Sequence, residues 1–150
     1  MRPYNRLVHP REQPPPPTTL AGYLAPLARV MFSTGISWRV VDSKWPGIEA
    51  AFDGFDPGHV AALSDADVDR LMGDTRIIRN RRKIEAIRAN ARRLLELDAA
   101  HGGFNHYLDS LPDYDATRTE LRKQFAFLGD SGVWLFLWMV GREVPPHQGN

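Results

Sequence analysis

Apolar residues recur at spacings of three and four along nearly the whole chain, and almost nowhere in strict alternation. Leu20, Tyr23, Leu24, Leu27 and Met31 form one such series, with Val30 alongside. Those positions share a helix face, so an amphipathic helix is predicted. Thr18 or Thr19 is placed to cap it and Gly35 to end it, while Pro26 either kinks it or marks where it begins. A short helix is expected from Ser37 to about Lys44, broken by Trp45-Pro46, and another from Pro46 through Ile48, Ala51 and Phe52 to Gly54. Asp56-Pro57 reads as a cap followed by a first-turn proline, ahead of Val60, Ala61 and Leu63. Ser64 with Asp67 has the spacing of a capping box, with Asp in place of Glu, and opens a helix through Val68, Leu71 and Met72 that stops at Gly73. The longest helix is expected from near Arg79 to about Ala99, with a stripe of Ile84, Ile87, Ala91, Leu94 and Leu95 and a stop at Gly102-Gly103. Two more are expected near Phe104–Ser110 and Ala116–Gln124. The last, about Ser131–Val140, is apolar nearly all round, the mark of a buried helix.

The fold class predicted is therefore all-α: one compact domain of short helices over residues 18–150. Residues 1–17 precede it as a proline-rich arm. Pro14, Pro15, Pro16 and Pro17 favour polyproline II and cannot enter a helix interior.

Composition narrows the picture further. The 150 residues suffice for one real core, at 43% hydrophobic and 25% charged. There is no cysteine, which excludes disulfides and thiolate zinc sites. The five histidines show no paired metal-ligand spacing, and no glycine-rich nucleotide motif occurs, so neither metal nor cofactor is expected. No apolar run is long enough to span a bilayer, and the N-terminus does not read as a signal peptide; the expectation is a cytoplasmic protein without a membrane partner. Net charge is only +1, but its distribution is uneven. Arg76 to Arg93 holds seven Arg and one Lys against Glu85 alone, and Asp42 to Asp74 holds eight acids against Lys44 and Arg70. Such asymmetry steers a polyanion, or it is simply a solvated helix face.

Two constellations bear on chemistry. Leu128-Gly129-Asp130-Ser131-Gly132 sits between two expected helices, the pattern of a helix-hairpin-helix, whose turn amides and second helix N-terminus offer N–H groups to a phosphate. Asp130 would repel that phosphate unless it caps the helix and points away. Phe32, Trp38 and Trp45, with Tyr23 nearby in sequence, cluster at the first helix junctions. Aromatic faces stack on bases turned out of a duplex, though such rings equally form cores.

Across Thr34 to Leu95 the chain resembles the 3-methyladenine DNA glycosylase I (Tag) family of the helix-hairpin-helix glycosylase superfamily. The resemblance rests on Gly35-Ile36-Ser37-Trp38, Phe55-Asp56-Pro57, Val60-Ala61-Ala62, Asp67-Val68, Arg70-Leu71, Ile77-Ile78-Arg79, Lys83-Ile84, Ala86-Ile87 and Asn90-Ala91-Arg92, in order. It implies a helical fold with a cleft, damaged double-stranded DNA as partner, and hydrolysis of the N-glycosidic bond of an alkylated purine such as 3-methyladenine. It places Trp38 against the extruded base, with Phe32 and Tyr23 lining the pocket and Gly129, Ser131 and Gly132 gripping the backbone. Arg76, Arg79, Arg81 and Arg82 would assist at the phosphates. The family's base-contacting acid maps to Val30, so an apolar wall replaces an acceptor. The chain ends at Asn150, earlier than members usually do, and Glu143 is the only carboxylate of that tail and hence the candidate general base. A non-catalytic helix-hairpin-helix relative that binds DNA or a protein partner is the alternative reading.

Overall fold

Capping and burial decide where the helices begin and end. The structure is a computed structural model that describes residues 12–146. Among them are eight α-helices: α1 (Ala21–Ser33), α2 (Trp38–Ala51), α3 (Pro57–Ala61), α4 (Asp65–Met72), α5 (Arg81–His101), α6 (Phe104–Asp109), α7 (Tyr114–Gln124) and α8 (Asp130–Met139). A short 3-10 turn, Asp53–Phe55, joins α2 to α3. The all-α expectation holds, and no described helix is long and apolar enough to cross a membrane.

Local signals account for most boundaries. Asp56 accepts from His59 N–H at 3.0 Å, and Pro57 occupies the first turn of α3. Ser64 and Asp67 form the reciprocal capping box, at 3.0 Å and 2.8 Å. Asn80 accepts from Lys83 N–H to open α5, and Asp113 from Ala116 N–H to open α7. Gly102, at φ 69°, ends α5 in the left-handed conformation that glycine adopts at least cost.

Two expectations about proline need correction or resolution. The break at Trp45-Pro46 is absent, and α2 runs through it as one helix. Val41, Trp45 and Ile48 lie buried on one face of α2, with Phe52 just beyond. A mid-helix proline costs roughly 3 kcal/mol. Burying Trp45 and Ile48 returns about 2–3 kcal/mol per side chain, so burial wins. Likewise α1 neither starts nor stops at Pro26, which lies inside it, and Thr19 Oγ1 accepts from Gly22 N–H at the helix start.

The long helix α5 is the spine. It packs on α3 and α6 most extensively, and also on α1 and α4. Ile84, Ile87, Ala91 and Leu94 face the core as expected, whereas Leu95 is only half-buried and Leu97 takes the next inward place. Trp45, Phe55 and Phe52 stack in series, at 5.4 Å and 5.1 Å between centroids. Of the proline arm, the described part lies against the end of α8: Gln13 Nε2 donates to Trp138 O at 2.9 Å and Arg142 O at 2.7 Å. A Cβ on Gly141 would come within 2.6 Å of Pro16 N, so only glycine fits there.

Replacing Ser64 by Ala should cost about 1 kcal/mol in chemical denaturation. The Asp67 carboxyl is held near a pKa of about 2, first by Ser64 N–H and then by Arg70. This depressed pKa contributes stability above the ordinary carboxylate range that is lost as pH falls towards 2. Carboxyl titration by NMR should show Asp67 moving upwards in the Ser64→Ala variant.

Candidate functional site

The site is built where α1 ends, α2 begins and α8 begins. Between them lies an open cavity of about 610 Å³. One lip is the end of α1 and its exit, Val30, Ser33, Thr34, Gly35 and Ile36, together with Trp38 in the first turn of α2. The other is Phe127, Leu128, Gly129, Ser131 and Gly132, followed by Trp134 and Leu135 one turn along α8. None of these side chains is ionisable. The walls are two indoles, one phenyl ring, aliphatic groups, two serines, one threonine and backbone.

Each lip is held by a buried polar side chain of α5. Lys83 and Asn90 are the buried polar or charged residues among those described. Lys83 Nζ donates to Phe32 O at 3.0 Å and Thr34 O at 2.5 Å. It satisfies carbonyls that the end of α1 leaves without helical partners and so fixes the first lip. Burial pulls the Lys83 pKa below its ordinary value. Asn90 Nδ2 donates to Ala126 O at 3.1 Å, and Asn90 Oδ1 accepts from Ala126 N–H at 3.0 Å. That double bond pins the segment Phe125–Gly129 between α7 and α8. Phe127 within it sits at φ 58°, a costly conformation for an aromatic residue that persists because its neighbours on either side are anchored.

Among the described residues, nothing accepts from the amides that open α8. Gly129 is its N-cap and gives no side-chain cap, and the first-turn N–H groups, of Asp130, Ser131 and Gly132, precede the first helical bond, Val133 N–H to Gly129 O. Asp130 does not cap; Gly129 holds that position. Its carboxylate turns aside to Arg122 at 3.0 Å and Arg118 at 3.8 Å, two arginines of α7 that can neutralise it. Gly132 also makes the packing possible: a Cβ there would stand 3.1 Å from Val30 and 3.3 Å from Leu128.

The predicted site residues divide clearly. Trp38, Val30, Gly129, Ser131 and Gly132 meet at this cavity. Phe32 and Tyr23 do not reach it. Phe32 is fully buried against Phe52 at 6.2 Å, and Tyr23 packs edge-on to Phe104 at 5.0 Å. Tyr23 shares a face of α1 with Val30 but sits two turns earlier, beyond the cavity, and Phe32 points to the opposite face of the helix. Glu143 lines a separate depression with Asp109, Asp113 and Arg142, not the cavity beside Trp38. The arginine run is largely tied down. Arg76 grips Asp74 at 2.7 Å, and Arg81 binds Asp69 at 2.5 Å and Glu85 at 3.7 Å. Arg79 is exposed, and Arg82 lies 5.8 Å over the ring of Phe127, at the lip itself. Among the described residues no cluster of three His, Asp or Glu side chains is placed to hold a metal ion.

Sequence reasoning missed Trp134, Leu135, Phe127, Lys83 and Asn90. The helix carrying Trp134 reads as buried all round, yet Ser131, Trp134 and Leu135 share a face at spacings of three and four. That face opens on the cavity, and Trp134 Nε1 is fixed by Pro145 O at 2.9 Å. Lys83 and Asn90, seven apart, carry the one signal available: polar residues inside the apolar stripe of a long helix.

The chain is similar to known proteins along most of its length. The family model described as methyladenine glycosylase matches residues 25–133. The chain is 47% identical over 64 residues to DNA-3-methyladenine glycosylase 1 of Escherichia coli (strain K12), a match covering 43% of this chain and 34% of that enzyme. It is 28% identical over 128 residues to the DNA-3-methyladenine glycosylase of Haemophilus influenzae, covering 71% of this chain and 69% of that one. Against the solved structure of 3-methyladenine DNA glycosylase I from Staphylococcus aureus, described for its recognition of 3-methyladenine, the TM-score is 0.71 at 28% identity, over 84% of this chain and 78% of that one. In the first of these matches the chain therefore spans about a third of its relative's length.

Asn90→Leu should cost about 1–2 kcal/mol, because it removes both hydrogen bonds to the Ala126 backbone, and should be read by urea denaturation. Lys83→Met tests the other lip. A lysine whose pKa is lowered by folding binds its proton less tightly than in the unfolded chain, so stability rises with pH in the window just below the ordinary lysine value. The wild type should gain on Lys83→Met as pH rises through that alkaline window.

Proposed function

The chain belongs to the methyladenine glycosylase family, and we propose that it excises an alkylated purine from damaged double-stranded DNA as the first step of base-excision repair. The observation that carries this reading is the open cavity between Trp38 and the free amides at the start of α8. A purine turned out of the duplex stacks on the Trp38 indole, with Trp134 and Leu135 as further apolar walls. Aromatic stacking of this kind contributes about 1–3 kcal/mol per base. We read α7, its connection and α8 as the helix-hairpin-helix. The N–H groups of Ser131 and Gly132 and the partial charge of the helix N-terminus hold a phosphate beside the lesion. Arg82 and Arg79 add positive charge on that side.

The chemistry matches an uncharged site. No carboxylate lines the cavity, so no side chain there is suited to activate water strongly or to protonate a leaving base. A purine alkylated at a ring nitrogen needs neither, since it already carries a positive charge. The C1′–N bond breaks with both electrons going to the base, which leaves neutral. Water adds to C1′ and gives its proton to solvent. What the protein supplies is extrusion, orientation and exclusion of competing contacts. The names of the matched relatives favour this enzyme over a binding-only relative.

Incubation with methylated duplex DNA should release free alkylpurine, detected chromatographically, and leave alkali-labile sites. Trp38→Ala should lower kcat/KM about tenfold or more. Binding to undamaged duplex should survive that change and weaken steeply with salt. A wild-type protein that releases no base from methylated DNA rules the reading out.

A further inference from the structure

The cavity is poor in groups that could read the edge of a base, because most of its polar side chains are committed to the protein. Ser33 Oγ donates to Val30 O at 2.8 Å, and Thr34 Oγ1 donates to the same carbonyl at 3.4 Å. A hydroxyl has one hydrogen, so both are left only to accept. Trp134 Nε1 donates to Pro145 O at 2.9 Å, and Trp38 Nε1 is buried rather than open to the cavity. The carbonyls of the α1 exit are engaged as well. Ser33 O accepts from Ile36 N–H at 3.1 Å and Thr34 O from Lys83 Nζ at 2.5 Å. Among the lining side chains, Ser131 alone keeps a hydroxyl hydrogen that no described group accepts.

Adenine and guanine differ along their edges. Adenine carries an amino donor where guanine carries a carbonyl acceptor, and guanine adds a second amino group. A protein tells them apart by donors and acceptors held fixed against those atoms. Here the accepting hydroxyls of Ser33 and Thr34 can take a hydrogen from the amino group of either base. The exposed Ser131 hydroxyl rotates, and so donates or accepts as the base requires. Stacking does not discriminate, since every base has a π-face. Size does not exclude guanine either: at about 610 Å³ the cavity is in the range that holds ligands larger than a purine. A site that hydrogen-bonds its substrate rejects an analogue lacking that group by roughly 10⁴-fold or more, whereas an apolar wall rejects an added polar group by only about a hundredfold. This cavity is of the second kind.

We propose that the cavity does not read which purine it holds: its substrate class is the cationic N-alkylpurines as a whole, adenine or guanine, alkylated at N3 or N7, sorted by how readily each leaves. This rests on the reading of the cavity as a base site and deepens it. For every member the same bonds change. The C1′–N9 bond breaks and both electrons pass to the base, cancelling its positive charge. A water oxygen bonds to C1′, and the proton it loses goes to solvent. A neutral lesion such as hypoxanthine would need a proton delivered to its ring before leaving comparably, and no ionisable side chain lines the cavity to deliver one.

The test incubates the whole chain with duplex DNA treated with dimethyl sulfate, which carries 3-methyladenine, 3-methylguanine and 7-methylguanine together. Released bases are measured by mass spectrometry, and each rate is divided by the spontaneous loss of that base from the same DNA. The three ratios should agree within about a hundredfold. A wider spread overturns the proposal, and so does release of hypoxanthine from a duplex containing deoxyinosine. Ser131→Ala should leave the proportion of guanine to adenine products unchanged. A tenfold or larger shift in that proportion assigns edge reading to Ser131 and also overturns the proposal. Release of 3-methyladenine alone refutes the broad class and leaves the repair reading standing, whereas release of no base refutes both.

Discussion

The two buried polar side chains of α5 are the constraint from which the rest of the site follows. Lys83 and Asn90 lie on one face of a helix packed into the core, and each reaches out of that core to fix one lip of the cavity. Burying an ammonium or an amide is costly unless its hydrogen bonds are made. Here the donors are met by carbonyls of the α1 exit and the α7–α8 connection, groups that a helix end or a tight turn would otherwise leave unsatisfied. The cost of burying them is offset only in the folded geometry, so the spacing of the two lips is set by the most rigid element of the molecule. A site on two loops thereby acquires the precision of a helix.

Charge is organised differently from what its sequence distribution implies. The dense arginine run and the acidic stretch before it are largely each other's partners. Arg76, Arg81 and Arg88 reach acids at the ends or on the exposed faces of α4 and its neighbours. Exposed pairs of this kind contribute little to stability, and they leave only part of the positive run for a polyanion. The pairing that matters to the site is smaller in scale. Asp130 is drawn to Arg118 and Arg122, so its carboxylate is directed to α7 rather than to the N–H groups that open α8.

The helical architecture was legible because caps and periodicity are local. Ser64 with Asp67, Asp56 with Pro57, and Gly102 each act within a few residues, and all appear where the sequence puts them. Pro46 was misleading for a physical reason. Its local penalty is real but smaller than the gain from burying Trp45 and Ile48, and that gain is visible only once a core exists. At the site, Trp38 and the glycines of the turn were legible through family resemblance. Phe32 and Tyr23 were not distinguishable from it by residue type, because an aromatic side chain serves a core and a stacking platform equally.

Segments far apart in sequence meet at the end of α8. Gln13 bonds to carbonyls of Trp138 and Arg142, and Pro15 and Pro16 press on Gly141. The early segment clamps the far end of α8, and Trp134 on that helix is tethered in turn to Pro145. The helix whose first turn offers its amides to a ligand is thus braced at its opposite extremity by residues more than a hundred positions upstream. A deletion reaching past Gln13 would act on the cavity as slack in a guy rope acts on a mast: the core would stand, and the wall bearing Trp134 would begin to sway.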